Sequence, residues 1–221
     1  MKRILFWALP IFLVGCKAEI EMPLKLSDFD KKEKSVQIVG TMAMEVTSCT
    51  ERGTDMPSDD IFKLQKKIPY VFKGAEYVEC KKDGFNSYAL FKLPANIDNV
   101  KDGKSADDQV INLAFFSNES GGRNLSVYIP PKLRGSINKL IESNVYINAS
   151  DIVMSLVVDP EGKPMSFTVV GAYLDSKPVQ MGSYDTNGGK FKITIPAYGL
   201  EQMLQPKNHM FTALMYASFK K

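Results

Sequence analysis

The first candidates for chemistry in this 221-residue chain are three cysteines and the single histidine, at Cys16, Cys49, Cys80 and His209. Catalysis through a histidine needs a nucleophile placed beside it, but no Gly-x-Ser-x-Gly motif occurs and neither Cys49 nor Cys80 has a histidine nearby in the sequence. Cys-x-x-Cys pairs, glycine-rich phosphate loops and the calcium-loop pattern are also absent from the sequence. These observations predict a protein without catalytic residues, cofactor or metal.

One enzymatic alternative stays open. The chain has 25 acidic residues, and a pair of carboxyl groups flanking a bond is the machinery of glycoside hydrolases. Asp59 and Asp60 stand together, but the first turn of a helix explains that pair better than a calcium site. His209 lies in a strand-like segment and is expected to be structural. An envelope hydrolase is therefore the enzymatic alternative.

The amino terminus has the layout of an export signal. Lys2 and Arg3 precede an apolar run over residues 4–14. Such a run is about 16 Å long as a helix, whereas a hydrocarbon core is about 30 Å thick. The length fits the apolar region of a secretory signal, so residues 1–15 are predicted to be a signal peptide.

The residues Leu13-Val14-Gly15-Cys16 resemble the lipobox of bacterial lipoproteins. The resemblance implies that the Cys16 thiol receives a diacylglycerol and that a signal peptidase cuts before Cys16. It also implies an outer-membrane destination, because Lys17 rather than aspartate follows the cysteine. Each buried CH₂ of an acyl chain contributes about 0.8 kcal/mol to membrane binding, and several chains make the anchor stable.

The other two cysteines are expected to form a disulfide. Export places Cys49 and Cys80 in an oxidising compartment, and they are the two that remain beside the lipidated Cys16. A bond closing a loop of about 32 residues stabilises a fold by roughly 3–4 kcal/mol in the chain-entropy account. Two free buried thiols are the alternative, while zinc is disfavoured because no histidine accompanies the thiols.

The charge balance gives no reason to expect a nucleic-acid partner. Removal of Lys2 and Arg3 with the signal reduces 28 basic residues to 26, against 25 acidic ones. Proteins that bind nucleic acid through phosphate contacts need a basic surface, which a net charge near +1 does not predict.

The elements that would position these residues are short strands and a few helices. Apolar alternation and turn residues predict strands at 36–48, 71–80, 87–93, 110–116, 124–129, 145–158, 165–174, 190–195 and 209–219, and helical spacing predicts helices at 58–67, 130–142 and 196–205. Residues 16–35 read as a lipidated tether that contains a potential first strand. Residues 36–221 are expected to form an α+β domain, a mostly antiparallel β-sheet with two or three short helices, either as one unit or as two subdomains divided near 95–108.

Three functions are consistent with this reading. The first is a non-enzymatic envelope lipoprotein that binds a protein partner or modifies a surface. The segments Cys16-Lys-Ala-Glu-Ile-Glu-Met-Pro-Leu and Glu45-Val-Thr-Ser-Cys49 resemble uncharacterised lipoproteins of enterobacteria and their phages or plasmids. That resemblance implies a role in altering the host surface. The second is an accessory lipoprotein of a secretion or conjugation apparatus, and the third is the hydrolase.

Overall fold

The computed structural model describes residues 17–30, 35–99, 109–117, 123–143, 148–207 and 210–216. Within these ranges the chain forms eleven β-strands, three α-helices and two 3₁₀ turns. The strands are β1 Ala18–Lys25, β2 Ser35–Val46, β3 Glu76–Asp83, β4 Asn86–Asn99, β5 Ile111–Ser117, β6 Arg123–Tyr128, β7 Ile152–Asp159, β8 Met165–Leu174, β9 Lys177–Thr186, β10 Phe191–Ile195 and β11 Met210–Tyr216. The helices are α1 Asp59–Val71, α2 Pro131–Glu142 and α3 Ala197–Leu204, and the 3₁₀ turns are Leu26–Asp30 and Ala149–Asp151.

Nine of these strands pair into a closed ring, in the order β10, β7, β1, β2, β4, β5, β6, β11, β8 and back to β10. The other two described strands flank the ring, β3 on β4 and β9 on β8. The neighbours β1 and β7 are parallel, as are β4 and β5, while the other pairs are antiparallel. The molecule is therefore a β-barrel. The α+β fold class, expected as a mostly antiparallel sheet with two or three short helices, is wrong.

Barrel closure depends on strands that are far apart in the chain. β1 pairs with β7 along its whole length, with Ala18 opposite Ile152 and Lys25 opposite Asp159. Alternation of apolar and polar residues shows that a strand has one buried face, but it does not show which strand lies beside it. The strand β9 was not predicted at all, because its mostly exposed residues show no apolar alternation.

β1 is the strand closest to the amino terminus, and it is part of the ring rather than a free tether. Its even-numbered residues are buried and its odd-numbered residues lie at the surface. The buried set consists of Ala18, Ile20, Met22 and Leu24. On the outer face, Glu21 accepts a hydrogen bond from Lys192 of β10 at 2.9 Å. β1 is thus held on both sides, by β2 and by β7.

The inside of the ring is filled by apolar side chains. The strand register aligns the buried residues of β1 with residues of the neighbouring strands. Ile20 pairs with Met42 of β2 and with Met154 of β7. The residues that fill the interior include Phe91, Leu93, Ile97, Ile111, Leu113, Leu125, Val127, Leu156, Val158 and Ile193, each at most 1% exposed. Burying one such side chain contributes about 1.5–3 kcal/mol. The described interior is therefore a packed core.

β4 connects the two halves of the chain. Its first half pairs with β3 and its second half with β5 on the same edge. Pro94, which cannot donate a backbone hydrogen bond, lies at the point where the neighbour changes. The alternative subdomain boundary near 95–108 falls at the end of β4 and in residues outside the described ranges, and the strands before and after it belong to one ring.

The three helices lie where the apolar spacing predicted helices, but α1 is longer than expected. Pro69 was expected to end this helix, and the structure continues it to Val71. Proline removes one hydrogen bond from the last turn. Ile68 and Val71 are buried there, and their packing offsets that loss.

A bend in β8 closes the ring. Residues 167–169 pair with β11, and residues 173–174 pair with β10. Between them Gly171 has a φ of 58°, and its carbonyl oxygen accepts a hydrogen bond from the Tyr198 hydroxyl at 2.8 Å. A Cβ atom at position 171 would lie 2.8 Å from that hydroxyl oxygen. Gly171 is thus required both by its backbone conformation and by the close approach of Tyr198.

Replacing Gly171 with alanine should destabilise the barrel. We expect a loss of about 1–3 kcal/mol, because a left-handed alanine is strained and its methyl group meets Tyr198. For a chain of this size the melting temperature should fall by about 5 °C, as measured by circular dichroism. Gly53→Ala is the matched control, because Gly53 has a φ of 78° and open space around it. If the Gly171→Ala variant has a melting temperature as high as that of this control, the steric crowding inferred at Gly171 would be wrong.

Candidate functional site at the amino-terminal end of the barrel

The chain enters the barrel at Lys17, one residue after Cys16, which lies outside the described residues. The Lys17 carbonyl oxygen accepts a hydrogen bond from the Glu45 amide at 2.8 Å. The Lys17 amide donates to a carboxylate oxygen of Glu45 at 3.3 Å. Both bonds attach the backbone of Lys17 to β2. The barrel therefore begins directly after the candidate lipidation site.

The predicted disulfide between Cys49 and Cys80 is confirmed, with the two Cα atoms 5.5 Å apart. Cys49 follows β2, whose last residue is Val46, and Cys80 lies in β3 opposite Ala89 of β4. The bond therefore ties the segment after β2 to the β3–β4 hairpin. It encloses α1, whose buried residues Ile61, Leu64, Ile68 and Val71 belong to the core.

The loop of residues 49–58 is held mainly by its own polar groups. The Ser58 hydroxyl donates to the Ser48 carbonyl oxygen at 2.6 Å, and the Ser58 amide donates to the Cys49 carbonyl oxygen. Ser58 occupies the position directly before α1. Its side chain makes no capping bond, however, because its hydroxyl is used to close this loop.

A surface depression of about 550 Å³ lies between this loop and the β3–β4 hairpin. Its lining carries charges of both signs. The lining residues are Ser48, Thr50, Glu51, Arg52, Gly53, Thr54, Asp55 and Lys82. Ligand sites are usually concave and largely apolar, with a few polar groups that converge. This depression has a different character, because most of its lining residues are exposed and polar.

Two titratable groups with shifted pKa values lie away from this end. The pKa of Tyr77 in β3 is raised by burial and by the nearby charge of Glu79. The pKa of Asp159 is lowered by hydrogen bonds from Lys190 and from the Glu161 amide. Asp159 is at the far end of β7 from Ile152, and Tyr77 packs edge-on against Phe91. Both shifts thus follow from structural contacts.

A buried carboxylate was not anticipated from the sequence. Asp98 of β4 is 3% exposed, and neither of its oxygens has a hydrogen-bond partner among the described residues. The register aligns it with Ala114 of β5 and Ser126 of β6, whose hydroxyl is 2.7 Å from that of Thr212. The alternation of apolar residues did not predict this buried carboxylate. Asp98 is an even-numbered residue of β4, and the apolar residues that fill the interior from this strand are odd-numbered.

The remaining candidates are dispersed. His209 lies outside the described residues, as Cys16 does. Asp59 and Asp60 lie in the first turn of α1, where the sequence placed them. Among the described residues no three of the His, Cys, Asp and Glu side chains are grouped as a metal site would require. None of the described helices has the length and the hydropathy needed to cross a bilayer.

Comparison with known families identifies the domain to which the barrel corresponds. A family described as "Domain of unknown function (DUF7424)" matches residues 18–221. This chain belongs to that family. No curated protein matches the chain. The DUF7424 match begins at Ala18, the first residue of β1, so the matched domain includes every described strand of the barrel and leaves out residues 1–17.

Proposed function

We propose that this protein is a lipid-anchored binding protein of the bacterial cell envelope. Lipid on Cys16 would hold the DUF7424 barrel at a membrane, and the barrel would act by contacting an envelope partner rather than by catalysing a reaction. One observation carries the proposal. The barrel begins one residue after the lipobox cysteine, with the Lys17 backbone bonded to β2.

The boundary of the family domain supports the same division. The DUF7424 match starts at Ala18 and excludes the basic, apolar and lipobox residues before it. A signal that is removed on export would be separate from the folded domain in this way. Lys17, in the position after the cysteine, favours the outer membrane as the destination.

The described interior favours binding over catalysis. The core of the ring is filled by apolar side chains, so a substrate would have to bind on the outer surface. There, the depression beside the 49–58 loop is lined mainly by exposed polar residues. Protein interfaces draw most of their binding energy from a few anchor residues on a broad contact surface, and such a surface needs no catalytic cleft.

The test is to determine the amino terminus of the protein purified from envelopes. We expect mass spectrometry of the first peptide to show Cys16 as the first residue, with a diacylglycerol on its sulfur. An unmodified Cys16, or a chain that starts elsewhere, would overturn the lipid anchor. The same preparation, incubated with isolated cell-wall material, should release no fragments above a buffer control. A protein-dependent release would favour the hydrolase.

One observation favours the second candidate, an accessory lipoprotein of an envelope assembly. β9 is ten residues long and pairs with β8, and no described strand pairs with its other edge. Met181 in this strand is 72% exposed. Free strand edges are where another protein can add a strand, and folded proteins usually protect them.

A charged substitution in β9 tests which of the two proposed functions applies, a binding protein or an accessory subunit of an assembly. If β9 pairs with a strand of an assembly, Met181→Lys should abolish the high-mass complex seen when membranes are solubilised gently and separated by native electrophoresis. Phe62→Lys is the control, because Phe62 is 42% exposed on α1, and a helix has no strand edge with which another strand could pair. A complex that persists in Met181→Lys, or that is lost in both variants, would contradict pairing at β9.

A further inference from the structure

The tip of the β3–β4 hairpin is the most exposed aromatic position of the described surface. Phe85 is fully exposed, next to Gly84, whose φ of 60° makes the tight turn. It contributes nothing to the core, although burying a phenylalanine side chain contributes about 1.5–3 kcal/mol. A large apolar side chain displayed at a turn is a candidate contact with something outside the molecule.

The register places this tip at the same end of the barrel as the amino terminus. Ala18 of β1 faces Met44 of β2, which faces Ala89 of β4. Phe85 lies four residues before Ala89, so the hairpin extends beyond the level of Ala18 by about 13 Å. Lys17 continues toward the tip, since its backbone bonds to Glu45, which lies opposite Tyr88 of β4. Cys16 precedes Lys17 in the sequence. Lipid on Cys16 would therefore bring this end of the barrel to the membrane surface.

The hairpin is held firmly in that place. β3 pairs with β4, and β4 pairs with β2 over residues 87–98. The disulfide from Cys80 to Cys49 ties the hairpin to the loop beside it. Phe85 would therefore lose little conformational freedom on contact, which lowers the entropic cost of binding.

The residues around Phe85 suit the interface of a bilayer. Lys81 and Lys82 are exposed on the same hairpin, and Met56 in the adjoining loop is 59% exposed. Lysine side chains near an anionic membrane surface contribute about 1 kcal/mol each, an effect that Asp83 here reduces. Phenylalanine is among the residues that membrane-surface elements bury about 5–10 Å into the boundary between the headgroups and the acyl chains.

We propose that the tip of the β3–β4 hairpin, with Phe85 at its centre, inserts into the lipid interface of the membrane that holds the anchor. The inference rests on lipid anchoring at Cys16, and it adds which surface of the barrel faces the bilayer. The hairpin and the lipid form two separate attachments, so the barrel is held in a defined orientation instead of turning freely about one residue.

The chain offers a clean reporter for this contact. Its one tryptophan, Trp7, precedes Cys16, so the processed protein has none. Phe85→Trp therefore places a single fluorophore at the tip. Lys163→Trp is the matched control, because Lys163 is exposed in the turn after β7, at the opposite end of that strand from Ile152. Each lipidated variant is reconstituted into vesicles of phosphatidylethanolamine and phosphatidylglycerol, with and without brominated acyl chains.

We expect the emission of the Phe85→Trp variant to shift to the blue on reconstitution and to be largely quenched by brominated lipid, while the emission of the Lys163→Trp variant stays unshifted and unquenched. Equal quenching in both variants, or none in Phe85→Trp, would overturn the insertion of the tip while leaving the lipid anchor intact. Failure of the anchor itself is distinguishable, because both variants would then stay off the vesicles and the mass spectrum would lack the diacylglyceryl Cys16.

Discussion

Replacing Cys16 with serine should abolish lipidation of this protein. A serine hydroxyl cannot form the thioether that joins the lipid, so labelling with radioactive palmitate should fall to background. The precursor should remain uncut and keep Trp7. Without the acyl chains, each CH₂ of which contributes about 0.8 kcal/mol, the barrel should lose its lipid anchor, which leaves only the uncut apolar run of residues 4–14 to contact a membrane. The measurements are palmitate incorporation, and the mass and membrane fractionation of the product.

The other cysteines provide the control for this experiment. The variant Cys49→Ser/Cys80→Ser keeps Cys16 and should incorporate palmitate as the wild type does. This control also excludes the possibility that the label reports acylation at one of the other thiols. Palmitate that persists in Cys16→Ser and is lost in the double variant would show that the lipid is attached elsewhere. The proposed function would then fail.

The second large effect concerns the disulfide. Removing it through Cys49→Ser/Cys80→Ser should lower the free energy of unfolding by roughly 3–4 kcal/mol, because the unfolded chain without the crosslink has a higher conformational entropy. At about 2–4 °C per kcal/mol for a domain of this size, the melting temperature should fall by about 10 °C. The structure shows why the loop matters, since α1 lies within it and buries four residues in the core.

Reduction gives an independent measurement of the same bond. Dithiothreitol should lower the melting temperature of the wild-type protein by a similar amount and leave that of the double-serine variant unchanged. Thiol titration of the protein purified without reductant should find neither Cys49 nor Cys80 free. If the wild type melts at the same temperature with and without reductant, the disulfide contributes less than its loop length implies.

The two proposed attachments at the amino-terminal end bear on how the protein would act. If Cys16 carries lipid, only Lys17 separates it from β1, so the barrel would stay close to the bilayer. A partner would then contact the surface of the barrel that faces away from the membrane. β9 is one described surface suited to such a contact, because it extends the sheet beyond the ring and pairs on one side only among the described strands. The Met181→Lys and Phe85→Trp experiments together test both surfaces.

The local features of this protein could be predicted from the sequence, because each depends on near neighbours. The apolar faces of the three helices and the alternation in β2 follow from spacing alone. The alternation of Ile20, Met22 and Leu24 likewise indicated a strand within the expected tether. The pairing of Cys49 with Cys80 followed from counting the cysteines that an exported lipoprotein would leave for oxidation, and the structure confirms it.

The closed ring was decided only by the tertiary structure. β1 lies parallel to β7 across more than a hundred residues of sequence, and no local pattern specifies that pair. The helix α1 continues past Pro69 to Val71, because the free energy gained by burying Ile68 and Val71 is larger than that of the one hydrogen bond that proline removes. The exposure of Phe85 also became visible only in three dimensions. A sequence shows that a side chain is apolar, but whether it is buried depends on which distant strands arrive to cover it, and none of the described strands covers the tip of this hairpin.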